Sequence, residues 1–143
     1  MVLGGQRYSG WYSEQNYQER FTAQKVYPTL ADGVEVTTHA DDWVLGSFVE
    51  IVPVNTITSD FHIHHVHVIK PTANGTYDCV LYCGTTEIGR FSFSRTEKKD
   101  DMEGIEIHTT LCDANSQVQA KLASENDASE DKVEIKLWYH EHS

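Results

Sequence analysis

Basic residues are scarce in this chain. Only 11 Lys and Arg stand against 22 Asp and Glu, for a formal net charge of −11 over 143 residues. A protein that grips nucleic acid by neutralising phosphates needs the opposite balance, so no nucleic-acid partner is expected. Long apolar runs are missing too. Nothing approaches the roughly 18–20 residues of a membrane span, so no membrane partner is expected either. The opening MVLGGQRYSGWYSEQ has neither a basic n-region nor an apolar h-region, and Sec export is not expected from it. Cysteine is rare, odd in number and without a CxxC: Cys79, Cys83 and Cys112. Reduced thiols that pack as small apolar residues are the expectation. Cys79 and Cys83 fall four apart on one extended stretch, too far for a good disulfide. G-x-S-x-G, a glycine-rich phosphate loop and paired carboxylates in apolar flanks are all lacking, so no enzyme is expected.

What the chain has is two-residue periodicity. Val34–Thr37 alternates after an Asp32-Gly33 turn signal. Trp43 to Val52, WVLGSFVEIV, reads as an apolar strand with Gly46 as a bulge or close-contact point. Asn74-Gly75 is the best hairpin dipeptide and precedes an alternating run from Thr76 to Cys83. Further strands follow over Glu87–Ser94, Ile105–Leu111 and Val118–Leu122. RTEKKDD at 95–101 reads as a solvated loop, and SENDASEDK at 124–132 as a hairpin connection. The last strand is the clearest, with Val133, Ile135, Leu137 and Tyr139 inward and Glu134, Lys136, Trp138 and His140 outward. Helical periodicity is almost absent. About eight short strands with polar turns predict an all-β chain, an antiparallel β-sandwich of jelly-roll or immunoglobulin-like type.

The longest strand-like stretch, Thr56 to Lys70, carries four of the eight histidines. Strict alternation puts Phe61, Ile63, His65, His67 and Ile69 on one face and His62, His64, Val66 and Val68 on the other. Neither face is cleanly polar, which points to a central or interface strand. His62 and His64 are the candidate metal ligands; alone they make only half of a zinc site and a third of an octahedral one. Three-fold symmetry would complete the set, three chains placing six nitrogens round an Fe or Zn ion on an oligomer axis. A β-barrel enzyme of cupin type would need a carboxylate soon after His64, where the sequence has His65, Val66, His67 and Val68. His108 is a possible distant third ligand. No cofactor at all, with histidines packed or hydrogen-bonded between subunits, is the simplest alternative. The terminal His140-Glu141-His142 reads as a solvent-exposed tail. Glu50 is expected to point to solvent or pair with Arg90.

Residues 1–40 are expected to form an N-terminal arm and edge segment, and residues 41–143 the sandwich. The arm is rich in aromatics without a periodic apolar face. Tyr8, Trp11, Tyr12 and Tyr17 therefore read as interface residues that lie on a neighbouring subunit, together with His65 and His67. Exposed Trp and Tyr would equally serve a glycan- or receptor-binding module.

Three runs carry a resemblance: WVLGSFVEIVPVNTITSDFHIHHVHV, GTYDCVLYCGTTEIGRFSFSR and ANSQVQAKLASENDASEDKVEIKLWYH. Together, over about residues 43–140, they resemble small all-β virion structural proteins of tailed bacteriophages. The resemblance implies a capsid decoration or cement protein, or a head, tail or fibre component. It would be made in the host cytoplasm, form a homo-oligomer such as a trimer, and bind the major capsid protein or other virion proteins at the capsid surface. The chain departs from that pattern by holding four histidines in a strand that usually has one or two.

Overall fold

The computed structural model describes residues 24–142, leaving out 30, 97–100 and 128, and of 101–103 gives the backbone course alone. The aromatic residues Tyr8, Trp11, Tyr12 and Tyr17 lie outside the described residues, as does most of the 95–101 loop. Nine strands are present among those described. They are β1 Gln24–Tyr27, β2 Val34–Thr37, β3 Val49–Val52, β4 Asp60–Ile69, β5 Gly75–Cys83, β6 Thr86–Arg95, β7 Asp101–Glu106, β8 Val118–Ser124 and β9 Lys132–His142. All pair antiparallel, in two sheets.

The first sheet runs β1-β9-β4-β7, with β2 also on β9, and the second runs β3-β8-β5-β6. β1 and β2 follow one another along the same edge of β9, against His140–Leu137 and Ile135–Lys132. The pairs β2·β9, β3·β8, β4·β7 and β5·β6 are nested. The chain is thus one long antiparallel ladder, β2 to β5 against β6 to β9, rolled so that successive rungs alternate between sheets. That is a jelly roll, and it decides between the two sandwich types the sequence allowed.

Among the described strands only β5 and β6 are joined as a hairpin within one sheet, through Gly84, whose φ of 62° is the left-handed value glycine adopts freely. The Asn74-Gly75 turn instead carries the chain from β4 in one sheet to β5 in the other. The acidic 124–132 segment likewise crosses from β8 to β9 rather than closing a hairpin. It is anchored by Asp131, which is 4% exposed and accepts from Ser124 Oγ at 3.1 Å and Asn126 Nδ2 at 2.9 Å.

The core lies between the sheets. Phe61, Ile63, Val66, Val68, Val133, Ile135 and Leu137 face Tyr77, Cys79, Leu81, Val118, Ala120 and Leu122, all 1% exposed or less. Tyr77 stacks on Phe93 at 5.0 Å and sends its hydroxyl to the Ala73 carbonyl at 2.7 Å, so its one polar atom is paired.

The expected strand over Trp43–Val52 forms only at its end, as β3. Residues 43–46 run beside β8 without joining the ladder, held by Trp43 N–H to Ser124 O (2.7 Å) and Gly46 N–H to Leu122 O (2.9 Å). Gly46 is the close-contact point its type suggested: a Cβ there would lie 2.4 Å from Thr37 O.

The expectation of three reduced thiols is overturned. Cys83, at the end of β5, is disulfide-bonded to Cys112. Cys112 exchanges two backbone hydrogen bonds with Phe61 of β4, so the bond clips one sheet to the other. Spacing along one strand ruled out Cys79 with Cys83 correctly but said nothing about a partner 29 residues away. Cys79 alone is free, and it is buried as expected.

Candidate histidine cluster

β4 is a central strand, flanked by β9 and β7, but its faces are not those of strict alternation. In the ladder with β9, Ile63 pairs with Tyr139 and the next pair is His65 with Trp138. His64 is therefore an inserted residue, a β-bulge, and the inward parity changes there. Phe61 and Ile63 point into the core before it, Val66 and Val68 after it. This corrects the assignment of the four histidines to opposite faces: none belongs to the core set, and all lie on the side turned away from it. Their mixture with valines looked like two half-polar faces because a shift of one residue had been read as no shift.

Past the bulge, His65 lies opposite Trp138 and Glu106, and His67 opposite Lys136. Before it, His62 is the direct register partner of His140. The two His-x-His motifs, one in β4 and one at the end of β9, are thereby laid side by side on one sheet face. The C-terminal motif is thus no loose tail: β9 continues through His142, and His140 is half-buried.

Ring separations show how tightly the four imidazoles sit. The centroids of His62 and His64 are 4.2 Å apart, those of His62 and His142 4.5 Å. His140 lies 5.7 Å from His62, 5.4 Å from His64 and 5.4 Å from His142. His142 Nε2 and His62 Nδ1 share a hydrogen bond, one ring donating N–H to the other. His64 Nε2 is buried and has no hydrogen-bond partner.

Such packing disfavours the charged form. Burial, then the neighbouring His142, His140 and His108, hold His62 below the usual imidazole range. His64 is pushed down to about 4, by burial first and then by His62 and His140. Neutral imidazoles keep one nitrogen lone pair each, which is what a transition metal binds. His108, the distant candidate, stands beside the group, exposed, with its Nε2 3.6 Å from Glu106. Among the described residues no group of three or more His, Cys, Asp or Glu side chains is ready-formed to hold a metal ion.

The sequence marked His62 and His64 as candidate ligands and His140-Glu141-His142 as an exposed tail. The available signal was the repetition of His-x-His in two stretches that both read as strands. Glu50 is exposed as expected, but it accepts from Gln117 Nε2 at 2.6 Å, while Arg90 lies 3.7 Å from Asp78.

No family model matches the chain, and no curated protein sequence matches it. Among solved structures it is similar to the VP2 protein of infectious bursal disease virus. In the subviral particle of that protein the TM-score is 0.44 at 13% identity, over 83% of this chain and 33% of the other. In the T=1 particles derived from that virus the TM-score is 0.48 at 12% identity, over 83% and 32%. The chain therefore spans about a third of the length of those two viral chains. It is also similar to the carbohydrate-binding module CBM36, solved with calcium and xylotriose, with a TM-score of 0.41 at 16% identity over 80% and 87%.

Proposed function

We propose that this chain is a structural protein of a virus particle. In this reading it is a decoration or cement protein that binds the head of a tailed bacteriophage and converts nothing. It works as a homo-oligomer, a trimer at three-fold positions of the shell, with the major capsid protein as its partner. The stretches that resemble phage virion proteins supply β3 to β6, β8 and most of β9.

The observation that carries the reading is an apolar strip displayed at the sheet edge. Trp43, Val44 and Phe48 are 52%, 42% and 39% exposed within six residues of one another. Backbone hydrogen bonds to β8 fix the start of that strip, so its side chains are presented to whatever docks there. Large exposed aromatics in a fixed backbone are what protein interfaces use as anchors. The acidic surface keeps separate copies apart before assembly, and repeated contacts on a shell then multiply a modest affinity.

Binding to shells stripped of this protein is the test. Full-length protein should saturate them, whereas Trp43→Ser with Phe48→Ser, and separately deletion of residues 1–17, should leave folded protein with binding reduced at least tenfold. Unchanged saturation by both would reject the reading. A glycan-binding role is favoured by one observation, the partial exposure of Trp43 and Trp138 (52% and 37%). Hits on a glycan array that vanish with Trp138→Ala would support it instead.

A further inference from the structure

We infer that the two His-x-His motifs of a single chain form a binding site for one late first-row divalent cation, such as Zn²⁺ or Ni²⁺. The ligands would be His62, His64, His140 and His142. This inference does not depend on the capsid reading and differs from an ion shared on an oligomer axis, since one chain supplies the full set.

A tetrahedral zinc with N ligands at roughly 2.0–2.1 Å holds pairs of imidazole centroids about 5 Å apart. Five of the six ring pairings here measure 4.2, 4.5, 5.4, 5.4 and 5.7 Å. Those five values bracket that spacing, on strands whose register is fixed by the ladder, with His62 and His140 paired at the centre and His64 and His142 on either side of them. What is missing is aim. His142 and His62 point nitrogens at each other, and the donors do not converge in threes. Turning imidazoles about χ2, a soft torsion, redirects them without moving backbone. The ion would replace the hydrogen bond between those two rings and would give the buried Nε2 of His64 the partner it lacks. A set of nitrogen donors without carboxylates or thiolates selects Zn²⁺, Ni²⁺ or Cu²⁺ over Mg²⁺ or Ca²⁺.

The chemistry is dictated by a local rule the fold then satisfies. In a strand, residues two apart share a face, so each motif offers two rings on one side. Antiparallel pairing in register sets the two motifs against each other, which neither motif specifies alone.

The test uses untagged full-length protein, stripped with EDTA and titrated calorimetrically with ZnCl₂, NiCl₂ and, as control, MgCl₂. Zn²⁺ and Ni²⁺ should bind at one ion per chain with micromolar or tighter dissociation constants, and Mg²⁺ should not bind. His64→Ala and His140→Ala should each weaken Zn²⁺ binding at least thirtyfold. His39→Ala, in an exposed loop beside Asp41, should leave it unchanged. Circular dichroism accompanies each titration to separate loss of fold from loss of binding, and His142→Asn at the strand end serves as a milder second variant expected to weaken binding at least fivefold. Absence of Zn²⁺ binding below 1 mM would overturn the inference. So would one ion per three chains with His140→Ala silent, which would place the ion on a symmetry axis.

Discussion

His62 of β4 and His140 of β9 face each other as register partners, their rings 5.7 Å apart and within 6° of parallel. Nothing local connects them: the two residues belong to strands far apart in sequence that meet only because the ladder is rolled. The relationship turns two separate histidine motifs into one electrostatic unit.

Acid should destabilise the metal-free protein in a defined window. His64 has its folded pKa pushed down to about 4 from an ordinary value of 6.5, and that of His62 is lowered too. Between those values the unfolded chain binds more protons than the folded one, so stability falls as pH drops from 6.5 towards 4 and levels off for this group below that. The salt-bridged Asp32, with its pKa lowered by Lys70, would lose its contribution only below its ordinary 3.8, outside that window. Melting temperature measured from pH 7.5 to 4 in EDTA should show the fall, and His64→Gln should flatten it. A curve level from 7 to 4.5 would refute this.

Deleting His62 should be far more damaging than deleting His65, although both side chains are partly exposed. Removing His65 takes out the extra residue of the bulge and leaves Phe61, Ile63, Val66 and Val68 all inward, in regular alternation against β9. Removing His62 instead breaks the alternation before the bulge and turns Phe61 outward, or forces β4 to re-register. Exposing the buried Phe61 costs roughly 1.5–3 kcal/mol. Urea unfolding of the two variants distinguishes these outcomes, and near-equal midpoints would mean the bulge does not set the faces of β4.

Breaking the sheet-to-sheet clip should cost more than removing a small buried side chain. A disulfide that closes a 29-residue separation contributes about 3–4 kcal/mol by restricting the unfolded chain. Cys112→Ser should lower stability by that order and leave a free thiol at Cys83. Cys79 should stay silent to maleimide in the folded oxidised protein, because burial raises its thiol pKa far above the usual range. Mass spectrometry should find no label before denaturation and one label after it.

Gly46→Ala should destabilise by about 1–3 kcal/mol, since the added carbon would meet the Thr37 carbonyl, a backbone atom that cannot swing aside. Denaturant unfolding measures the loss. The same variant should weaken shell binding if the 43–48 strip is an interface, because the strip leaves its seat on β8 when Gly46 is displaced.

Alternation of apolar and polar residues determined by itself that this chain is all-β, and where most of the strands lie. Val133, Ile135 and Leu137 could be placed inward from sequence because side-chain direction in a strand is a property of the backbone, repeated every two residues. The exposure of Glu50, the burial of Cys79 and the tight seat of Gly46 were legible for the same kind of local reason. The face of each β4 histidine was not, because a bulge is an agreement between two strands and leaves only an ambiguous pattern in one. Tertiary structure alone decided that the sandwich is a jelly roll, that Asn74-Gly75 passes between sheets, that Cys83 finds Cys112, and that His140 and His142 come to rest against His62 and His64. Each is a pairing across a long stretch of chain, set by which strands share a core and in what register, and short-range preferences carry no information about that choice.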